Sequence, residues 1–305
     1  MRFRTRAGEP CKFQPETHSS HVTGLVLARA QSPMMKHVLP MAPLVFCDAV
    51  LARRLEAAEA ANARGCTAWP PGSALLEIGG GCAIFVGAGS PLSQAVGLGL
   101  NGPVSPAELD QLADFFHSRG GAVSIDLCPL AHPELLPALG ARGFRPTEFN
   151  NVLVKRLSGA EISLTPRVRR ALTGEDDLWS HTVGSGFFDQ RELTGEEMDV
   201  GRAIFAMPGA MCWLAVSDSS EPAGGGSLAI RDGLATLFAD STIPAFRRRG
   251  LHSELIAARL NEAMARGCDL ATASTLPGST SQRNYERLGF QVVYTRVTLT
   301  DAPNI

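Results

Sequence analysis

The sequence predicts two copies of one α+β unit joined end to end. The first indication is that residues 140–144 (GARGF) and 285–290 (YERLGF) end alike. The second is that a shift of 146 residues, which superposes Gly143 on Gly289, also aligns other glycines and apolar residues. The third is that the same order of predicted elements follows in both copies. A chain of 305 residues has room for two such units, since domains average about 150 residues.

Each copy begins with a glycine-bounded apolar strand, a second strand and a loop. A helix then ends before Gly121 in the first copy and before Gly267 in the second. An apolar strand, a proline-containing loop, a short helix, Gly-Phe and a last strand complete the copy. These patterns place the units at residues 45–157 and 158–305.

The first 44 residues show no regular hydrophobic period and are predicted to be a flexible extension. The apolar run at 24–28 is too short and too late for a signal peptide. Three methionines precede the first convincing element, which is consistent with a natural start after residue 33. They are Met34, Met35 and Met41.

The second copy gives the clearest elements. Helices are expected from Trp179 to about 184 and over 194–205, 250–266 and 281–288. Strands are expected over 167–171, 211–216, 225–230, 235–242, 270–275 and 290–300. Residues 231–233 (RDG) predict a tight hairpin turn between the third and fourth of these strands.

Composition excludes several classes of protein. Hydrophobic residues make up 45% of the chain and charged residues 19%, which predicts a packed core and excludes general disorder. A net charge of −2 argues against nucleic acid or an anionic membrane as partner. No apolar run approaches the roughly 18 residues of a membrane helix. The seven cysteines are widely spaced without a CxxC pair, so we expect no disulfide framework, no metal site and a reducing cytoplasm.

The sharpest local feature is the segment 244–253, PAFRRRGLHS, between a predicted strand and a predicted helix. A helix N-terminus offers unpaired N–H groups and the positive end of the peptide dipole, which together bind phosphate. Gly250 lacks the Cβ that would keep an oxyanion from the backbone, and three arginines add positive charge. An ordinary loop with a solvated arginine run is the alternative interpretation.

This segment resembles the R/Q-x-x-G-x-G/A pyrophosphate loop of the GNAT acetyltransferases, with Arg247, Gly250 and His252 at the motif positions. Pro244 stands where that family often has a proline. Residues 284–290, NYERLGF, are similar to the family's closing segment and follow at the expected distance. The close resemblance covers about 225–300, and the looser α/β resemblance covers the rest of the second copy and, through the repeat, the first.

Two departures from the family pattern bear on the binding site. His252 replaces the final small residue of the loop, so its side chain must point away from the pyrophosphate or stack beside it. The family's asparagine about seven residues before the tyrosine is absent, and Gly278 and Ser279 lie there. Contacts to the cofactor from this helix would then come from Ser281 or Asn284.

The resemblance implies that each unit is a mixed, mostly antiparallel twisted sheet flanked by helices. It also implies that the second unit binds acetyl-CoA and transfers its acetyl group to an amine by direct attack on the thioester. The strand before the loop, 238–243, would turn N–H groups toward the thioester carbonyl. The cofactor-binding residues implied are Thr242, Ile243, Arg247, Arg248, Arg249, Gly250, Leu251, His252, Ser253, Ser281 and Asn284.

Tyr285 matches the family's general acid, whose phenol would protonate the leaving thiolate. Packing against the cofactor without chemistry is the alternative. Asp240 is the candidate base, although burial would have to raise its ordinary pKa of about 3.9. The alternative for Asp240 is a structural aspartate bonded to nearby backbone. His252 is a further candidate base, and Glu254 is expected to cap the helix or to be solvated.

The helix that begins near Trp179 and carries His181 lines the acceptor pocket in the family. For Trp179, core packing is the expected role.

The first unit lacks the features of this site. Residues 101–107, NGPVSPA, align with the loop but contain no arginine, and two prolines remove N–H donors. Val104 stands in place of Gly250 and Leu139 in place of Tyr285. We therefore expect the first unit not to bind CoA, but to pack against the second and to wall the acceptor site.

The leading hypothesis is an acetyl-CoA-dependent N-acetyltransferase, a monomer or homodimer, that acts on a small amine. A non-catalytic acyl-CoA-binding or regulatory module is the first alternative. The second is an acyltransferase that uses another acyl-CoA or modifies a protein N-terminus.

Overall fold

The structure is a computed structural model that describes residues 44–158 and 166–301. Apart from Leu44, the N-terminal extension expected over residues 1–44 lies outside the described residues. Among the described residues, no helix has both the length and the apolar character needed to cross a bilayer.

Seven helices and eleven strands make up the described part of the chain. The helices are α1 (Ala49–Cys66), α2 (Pro106–His117), α3 (Leu135–Ala141), α4 (Asp176–Phe187), α5 (Gly195–Phe205), α6 (Leu251–Ala265) and α7 (Thr280–Arg287). The strands of the first half are β1 (Ala74–Ile78), β2 (Gly81–Phe85), β3 (Gln94–Val96), β4 (Ser124–Leu127) and β5 (Phe144–Arg156). The strands of the second half are β6 (Val168–Arg170), β7 (Met211–Val216), β8 (Pro222–Arg231), β9 (Leu234–Thr242), β10 (Leu270–Thr275) and β11 (Gln291–Asp301).

All eleven strands belong to one mixed sheet, in the order β1-β2-β3-β4-β11-β5-β10-β9-β8-β7-β6. The β3–β4 and β9–β10 pairs are parallel, and the other eight neighbouring pairs are antiparallel. The prediction of a mixed, mostly antiparallel sheet flanked by helices is therefore confirmed.

The two halves exchange their last strands. β11, from the second half, pairs with β4 of the first, and β5, from the first half, pairs with β10 of the second. β5 and β11 pair with each other antiparallel, from Gln291 opposite Val154 to Asp301 opposite Phe144. The proposed ranges 45–157 and 158–305 stay a prediction, but the sheet itself does not divide at that boundary.

Two helices cover opposite faces of the sheet around β8 and β9. A Cβ placed on Gly225 would meet Val183 and Trp179 of α4, whereas one on the next residue, Gly226, would meet Arg259 of α6. Successive residues of a strand point to opposite faces, so α4 and α6 lie on opposite sides. Trp179 is fully buried and its indole N–H donates to the carbonyl of Trp213 (3.0 Å), which confirms the prediction that it packs in the core.

A buried polar cluster joins α1 of the first half to β11 of the second. The hydroxyl of Tyr294 and Nε of Arg296 both donate to Oε1 of Glu56, at 2.6 and 2.7 Å. Glu56 is fully buried and the Arg296 side chain is 3% exposed. Burial opposes the charge on Arg296, but the carboxylates of Glu56 and Glu59 outweigh burial and raise its pKa.

The predicted elements of the second half agree closely with the structure. β7 and β10 have the predicted bounds, α5 begins one residue later than predicted, and α6, α7 and β11 differ by one residue at each end. α1 is not among the predicted elements, although Asp48 caps it by accepting from the N–H of Leu51 (2.8 Å). Its many alanines give it the helix propensity that the sequence analysis missed.

We predict that Arg296→Met lowers the free energy of unfolding by about 3–5 kcal/mol, because it leaves the buried Glu56 carboxylate without its cation. Urea denaturation would measure the change. The control is Arg266→Met, whose side chain is half exposed and pairs with Glu262 on the same helix. It should change stability by no more than about 0.5 kcal/mol. Equal effects of the two substitutions would contradict the role given to the cluster.

Candidate functional site

The sheet opens where β9 and β10 part. The two parallel strands pair from Leu234 opposite Leu270 to Leu237 opposite Ala273. Beyond that point β9 continues to Thr242 and β10 to Thr275 without pairing to each other. The backbone N–H and C=O groups on the facing edges therefore do not pair with the neighbouring strand and can bind another molecule.

A β-bulge in β9 marks the same place. Gly225 pairs with Ser241 and Ser227 pairs with Phe238, so two residues of β9 stand opposite Gly226 alone. Ala239, the first of the two, has φ of +56°. A bulge bends its strand and redirects the following side chain, and here that side chain is Asp240.

Asp240 is held between two buried side chains. Arg259 of α6 donates through Nη2 to Oδ1 of Asp240, and the hydroxyl of Tyr285 of α7 donates to Oδ2. The Arg259 side chain is fully buried and Tyr285 is 1% exposed. Arg259 also donates to the carbonyls of Leu255 and Ser227, each at 2.9 Å, which fixes the guanidinium in place.

The electrostatics of this cluster keep Asp240 ionised and Tyr285 protonated. Burial raises the pKa of Asp240, but the charge of Arg259 and the neighbouring His252 and Tyr285 outweigh it and hold the pKa at about 2. Burial and the Asp240 charge raise the pKa of Tyr285 well above its usual 10. The raised pKa that a base at Asp240 requires is therefore not found, and the shift has the opposite sign.

His252 points away from the loop and into this cluster. The side-chain amide of Asn284 donates to its Nδ1 (2.9 Å), and its Nε2 lies 3.8 Å from Oδ1 of Asp240. Its ring also contacts that of Tyr285 edge-on, with centroids 5.8 Å apart. The structure thus brings together Asp240 from the strand before the loop, His252 from the loop, and Asn284 and Tyr285 from the closing segment.

The N-terminus of α6 has an open backbone. Gly250 precedes the helix with φ of +85°, a conformation that favours glycine, and the N–H groups of Leu251, His252 and Ser253 have no partner within the helix. Glu254 is an acidic residue in the first turn of this helix. Arg167 pairs with its carboxylate and also donates to the carbonyl of Arg249 (3.2 Å).

The three loop arginines, all exposed, have different surroundings. Arg247 pairs with Asp189 and donates to the carbonyls of Gly186 (2.8 Å) and Thr242 (3.0 Å), so it braces the loop against the end of α4. Arg249 lies over the ring of Phe246. Arg248 has a φ of +63°, so both Arg248 and Gly250 have left-handed backbone conformations.

In the first half the equivalent helix N-terminus is closed. The Ser105 hydroxyl accepts from the N–H of Glu108, and Glu108 Oε2 accepts from the N–H of Ser105 (2.8 Å) in a capping box. Glu108 Oε1 also accepts from the N–H of Gly79 (3.2 Å). A carboxylate of the chain therefore lies where the second half leaves N–H groups open.

A cavity of about 170 Å³ lies at the parting of β9 and β10. The bulge residues Ala239 and Asp240, the end of β10 and Ser281 line it. The first half contributes Glu59 from α1 and two side chains from the exchanged strand β5. These are Glu148 and Asn150.

The sequence analysis missed the residues that tie these parts together. Arg259 lies in α6 among apolar residues that are buried. An arginine at such a position was the available signal that a buried anion pairs with it. Arg167 was assigned only to a strand, and Glu148 belonged to the half that was expected to wall the acceptor site without any named residue. Nε2 of His181, on α4, donates to the carbonyl of Arg191 (2.9 Å). Within the residues that the structure describes, no cluster of His, Cys, Asp and Glu is placed to hold a metal ion.

Residues 179–290 match the model of the acetyltransferase (GNAT) family. This segment runs from α4 through the open helix N-terminus to the end of α7. It is a GNAT acetyltransferase domain. The resemblance inferred from the loop and the closing segment is thereby confirmed. No curated protein matches the chain significantly.

Solved structures extend the likeness beyond the GNAT domain. A GCN5-related N-acetyltransferase from Kribbella flavida is 20% identical, with 81% of this chain and 96% of that chain covered and a TM-score of 0.59. A tandem GNAT protein from the clavulanic acid biosynthesis pathway is 16% identical, with 84% and 96% covered and a TM-score of 0.55. At these identities the likeness concerns the fold alone.

We predict that Gly226→Ala lowers the free energy of unfolding by about 1–3 kcal/mol. The added Cβ would lie 2.7 Å from Oδ1 of Asp240 and 2.8 Å from Nη1 of Arg259, two side chains that are fixed by burial. Gly195→Ala is the control, because a Cβ there meets nothing within 4 Å, and it should be near neutral. If Gly226→Ala were also neutral in urea denaturation, the buried pair would have room to move.

Proposed function

We propose that this protein is an acetyl-CoA-dependent N-acetyltransferase that acts on a small amine in the cytoplasm. The observation that carries the proposal is the open N-terminus of α6 beside the parted strands β9 and β10. The match to an acetyltransferase family supports acyl transfer. The six cysteines among the described residues are free thiols, which supports a reducing compartment.

The residues present fit the pyrophosphate of a CoA thioester. Gly250 has no Cβ to keep an oxyanion from the backbone, and its φ of +85° is a conformation that favours glycine. Because Arg167 pairs with Glu254, the N–H groups that follow Gly250 can donate to an external anion. Arg248 and Arg249 are exposed at the same place and would add positive charge.

In the reaction, the amine nitrogen attacks the thioester carbonyl carbon, the carbon–sulfur bond breaks, the sulfur gains a proton and the amine loses one. The unpaired edge of β9 beyond Leu237 supplies N–H groups that stabilise negative charge on the carbonyl oxygen. The bulge at Ala239 keeps that edge away from β10.

Tyr285 is the proton donor to the sulfur in this proposal. Its raised pKa keeps the phenol protonated throughout the neutral range. Asp240 serves as a positioning residue rather than as a base, because an ion pair with Arg259 and a pKa of about 2 make it a weak proton acceptor. Asp240 lines the cavity and accepts from the Tyr285 hydroxyl, so in this proposal the hydroxyl exchanges that hydrogen bond for one to the sulfur when it gives up its proton.

We predict that the chain binds one acetyl-CoA and that Gly250→Val weakens binding by at least about tenfold. A branched side chain both blocks the N–H groups and strains a residue at φ of +85°. Isothermal titration calorimetry would give the stoichiometry and the Kd.

Gly267→Val is the matched control for backbone strain, because Gly267 follows the other end of α6 with φ of +74°. It should bind acetyl-CoA as the unmodified protein does. Two equivalent sites per chain, or normal binding by Gly250→Val, would refute the assignment of the loop.

We predict that Tyr285→Phe lowers kcat by about 100-fold or more while the Kd of acetyl-CoA changes little, since only the hydroxyl is lost. CoA release from acetyl-CoA with a panel of amines would measure turnover. Tyr294→Phe is the control, because Tyr294 is the chain's second tyrosine and its hydroxyl donates to Glu56. That variant should lose stability but keep kcat.

The outcomes separate the proposal from its alternatives. Unchanged turnover in Tyr285→Phe would make the tyrosine a packing residue. A parallel loss of acetyl-CoA affinity would make it a binding residue. Binding of acetyl-CoA by the unmodified protein without CoA release for any amine would favour a non-catalytic acyl-CoA-binding module.

A further inference from the structure

We propose that the ring of Phe238 limits the length of the acyl group that the protein accepts on CoA. The space behind the ring, which the first half builds, would take a longer alkyl chain if the ring were smaller. The inference rests on the proposed function, because it concerns the donor thioester in the same cavity. It gives the first half, whose own helix N-terminus is closed, a part in choosing the donor.

The cavity at the parting of β9 and β10 passes through the sheet from one face to the other. Ser281 of α7 lines it at one end, and Phe187 of α4 lines it at the other. α7 lies on the side of α6, since Tyr285 packs with Ile256 and Leu260 of that helix. An acyl-CoA whose pyrophosphate is bound at α6 would therefore enter from the α6 side and present its acyl group to the α4 side.

Phe238 stands on the α4 side of this opening. It pairs with Ser227, whose side chain has the same direction as that of Gly225 two residues before it, toward α4. Phe238 is also the first residue of β9 beyond the last pair with β10, which joins Leu237 to Ala273. Its ring is therefore beside the place where the acyl group would emerge.

A second, smaller cavity lies behind the Phe238 ring. Phe238 and Glu59 line both cavities, and Phe238 is only 8% exposed, so its ring forms part of the wall between them. The smaller cavity has a volume of about 10 Å³, which is room for about one water. Of the eight described residues that line it, all except Phe238 belong to the first half. Five of the eight are apolar, namely Ala63, Cys66, Ile84, Leu92 and Phe238.

The size of the side chain at position 238 decides whether the two cavities join. With the phenyl ring in place, a growing alkyl chain is blocked in the direction of the first half. A smaller side chain would open a mostly apolar passage, and each methylene buried there would tighten binding about fourfold, the equivalent of about 0.8 kcal/mol. An acetyl group would gain nothing, because it ends before the ring.

The test is calorimetric titration of acetyl-, butyryl- and hexanoyl-CoA into the full chain, unmodified and with Phe238→Ala. The unmodified protein should bind acetyl-CoA more tightly than hexanoyl-CoA. Phe238→Ala should shift the ratio of the two affinities at least about tenfold toward hexanoyl-CoA. Succinyl-CoA, which matches butyryl-CoA in carbon number but ends in a carboxylate, should gain nothing, because burying that charge is costly.

Phe205→Ala is the matched control for lost packing. Phe205 packs against the same apolar cluster as Phe238 and lies beside Trp179, with ring centroids 5.9 Å apart, but it lines neither cavity. Its removal should leave the chain-length preference unchanged. Phe238→Leu makes a smaller opening and should shift the preference in the same direction, which keeps the test available if Phe238→Ala does not fold.

A second substitution tests the part of the first half. Ala63→Leu, added to Phe238→Ala, refills the space behind the ring from α1. It should return the ratio of hexanoyl-CoA to acetyl-CoA affinity to the value of the unmodified protein. A shift that Ala63→Leu does not reverse would mean that the chain lies elsewhere, and the inference would be wrong.

Two further results would overturn the inference. One is hexanoyl-CoA binding to the unmodified protein as tightly as acetyl-CoA, and the other is the same preference in the Phe238 variants as in the unmodified protein. In both cases acetyl-CoA binds, so the proposed function survives. Absence of acetyl-CoA binding would reject the proposed function and the inference together. The expected shift in a protein that releases no CoA with any amine would support the donor site and reject the activity.

Discussion

The antiparallel pairing of β5 with β11 is the constraint on which the rest of the molecule depends. It carries the last strand of each half into the sheet of the other and makes one sheet of eleven strands. It also brings Arg296 to Glu56 across the two halves, in a cluster that is closed to solvent. Without these two strands β4 and β10 would be edges, and Glu148, which lies in β5, would not line the cavity of the second half.

The two helix N-termini show how one distant side chain changes a shared local pattern. Glu108 and Glu254 occupy the same position under the 146-residue shift. Glu108 accepts from the N–H of Ser105 while the Ser105 hydroxyl accepts from the N–H of Glu108, whereas Glu254 is paired with Arg167, far from it in sequence. A helix N-terminus binds an external anion only where no anion of the chain already lies there. The repeat therefore has one open terminus and one closed one.

The buried cluster around Asp240 has little reason to exist for stability alone. Removing the charges of Arg259 and Asp240 from water costs several kcal/mol of desolvation for each residue. The attraction between two such charges typically offsets little more than that cost. The cluster does hold the Tyr285 hydroxyl in one orientation beside the opening of the sheet. Gly226 gives it room and the bulge at Ala239 aims Asp240 toward it, so two separate backbone features serve a single orientation.

The sequence by itself determined the local features of the second half. The bounds of β7 and β10, the start of α6 after Gly250 and the GNAT-like loop follow from hydrophobic period and capping residues, which act within a few positions of each other. The tertiary structure alone decided the strand exchange, the partners of Asp240 and the contribution of Glu148. The sequence predicts β5 and β11 only as apolar strands, and such strands could pair within either half. Nothing in their residues specifies which strand lies beside each of them. The pairing is chosen by the burial of both faces of a shared sheet, a property of the whole chain.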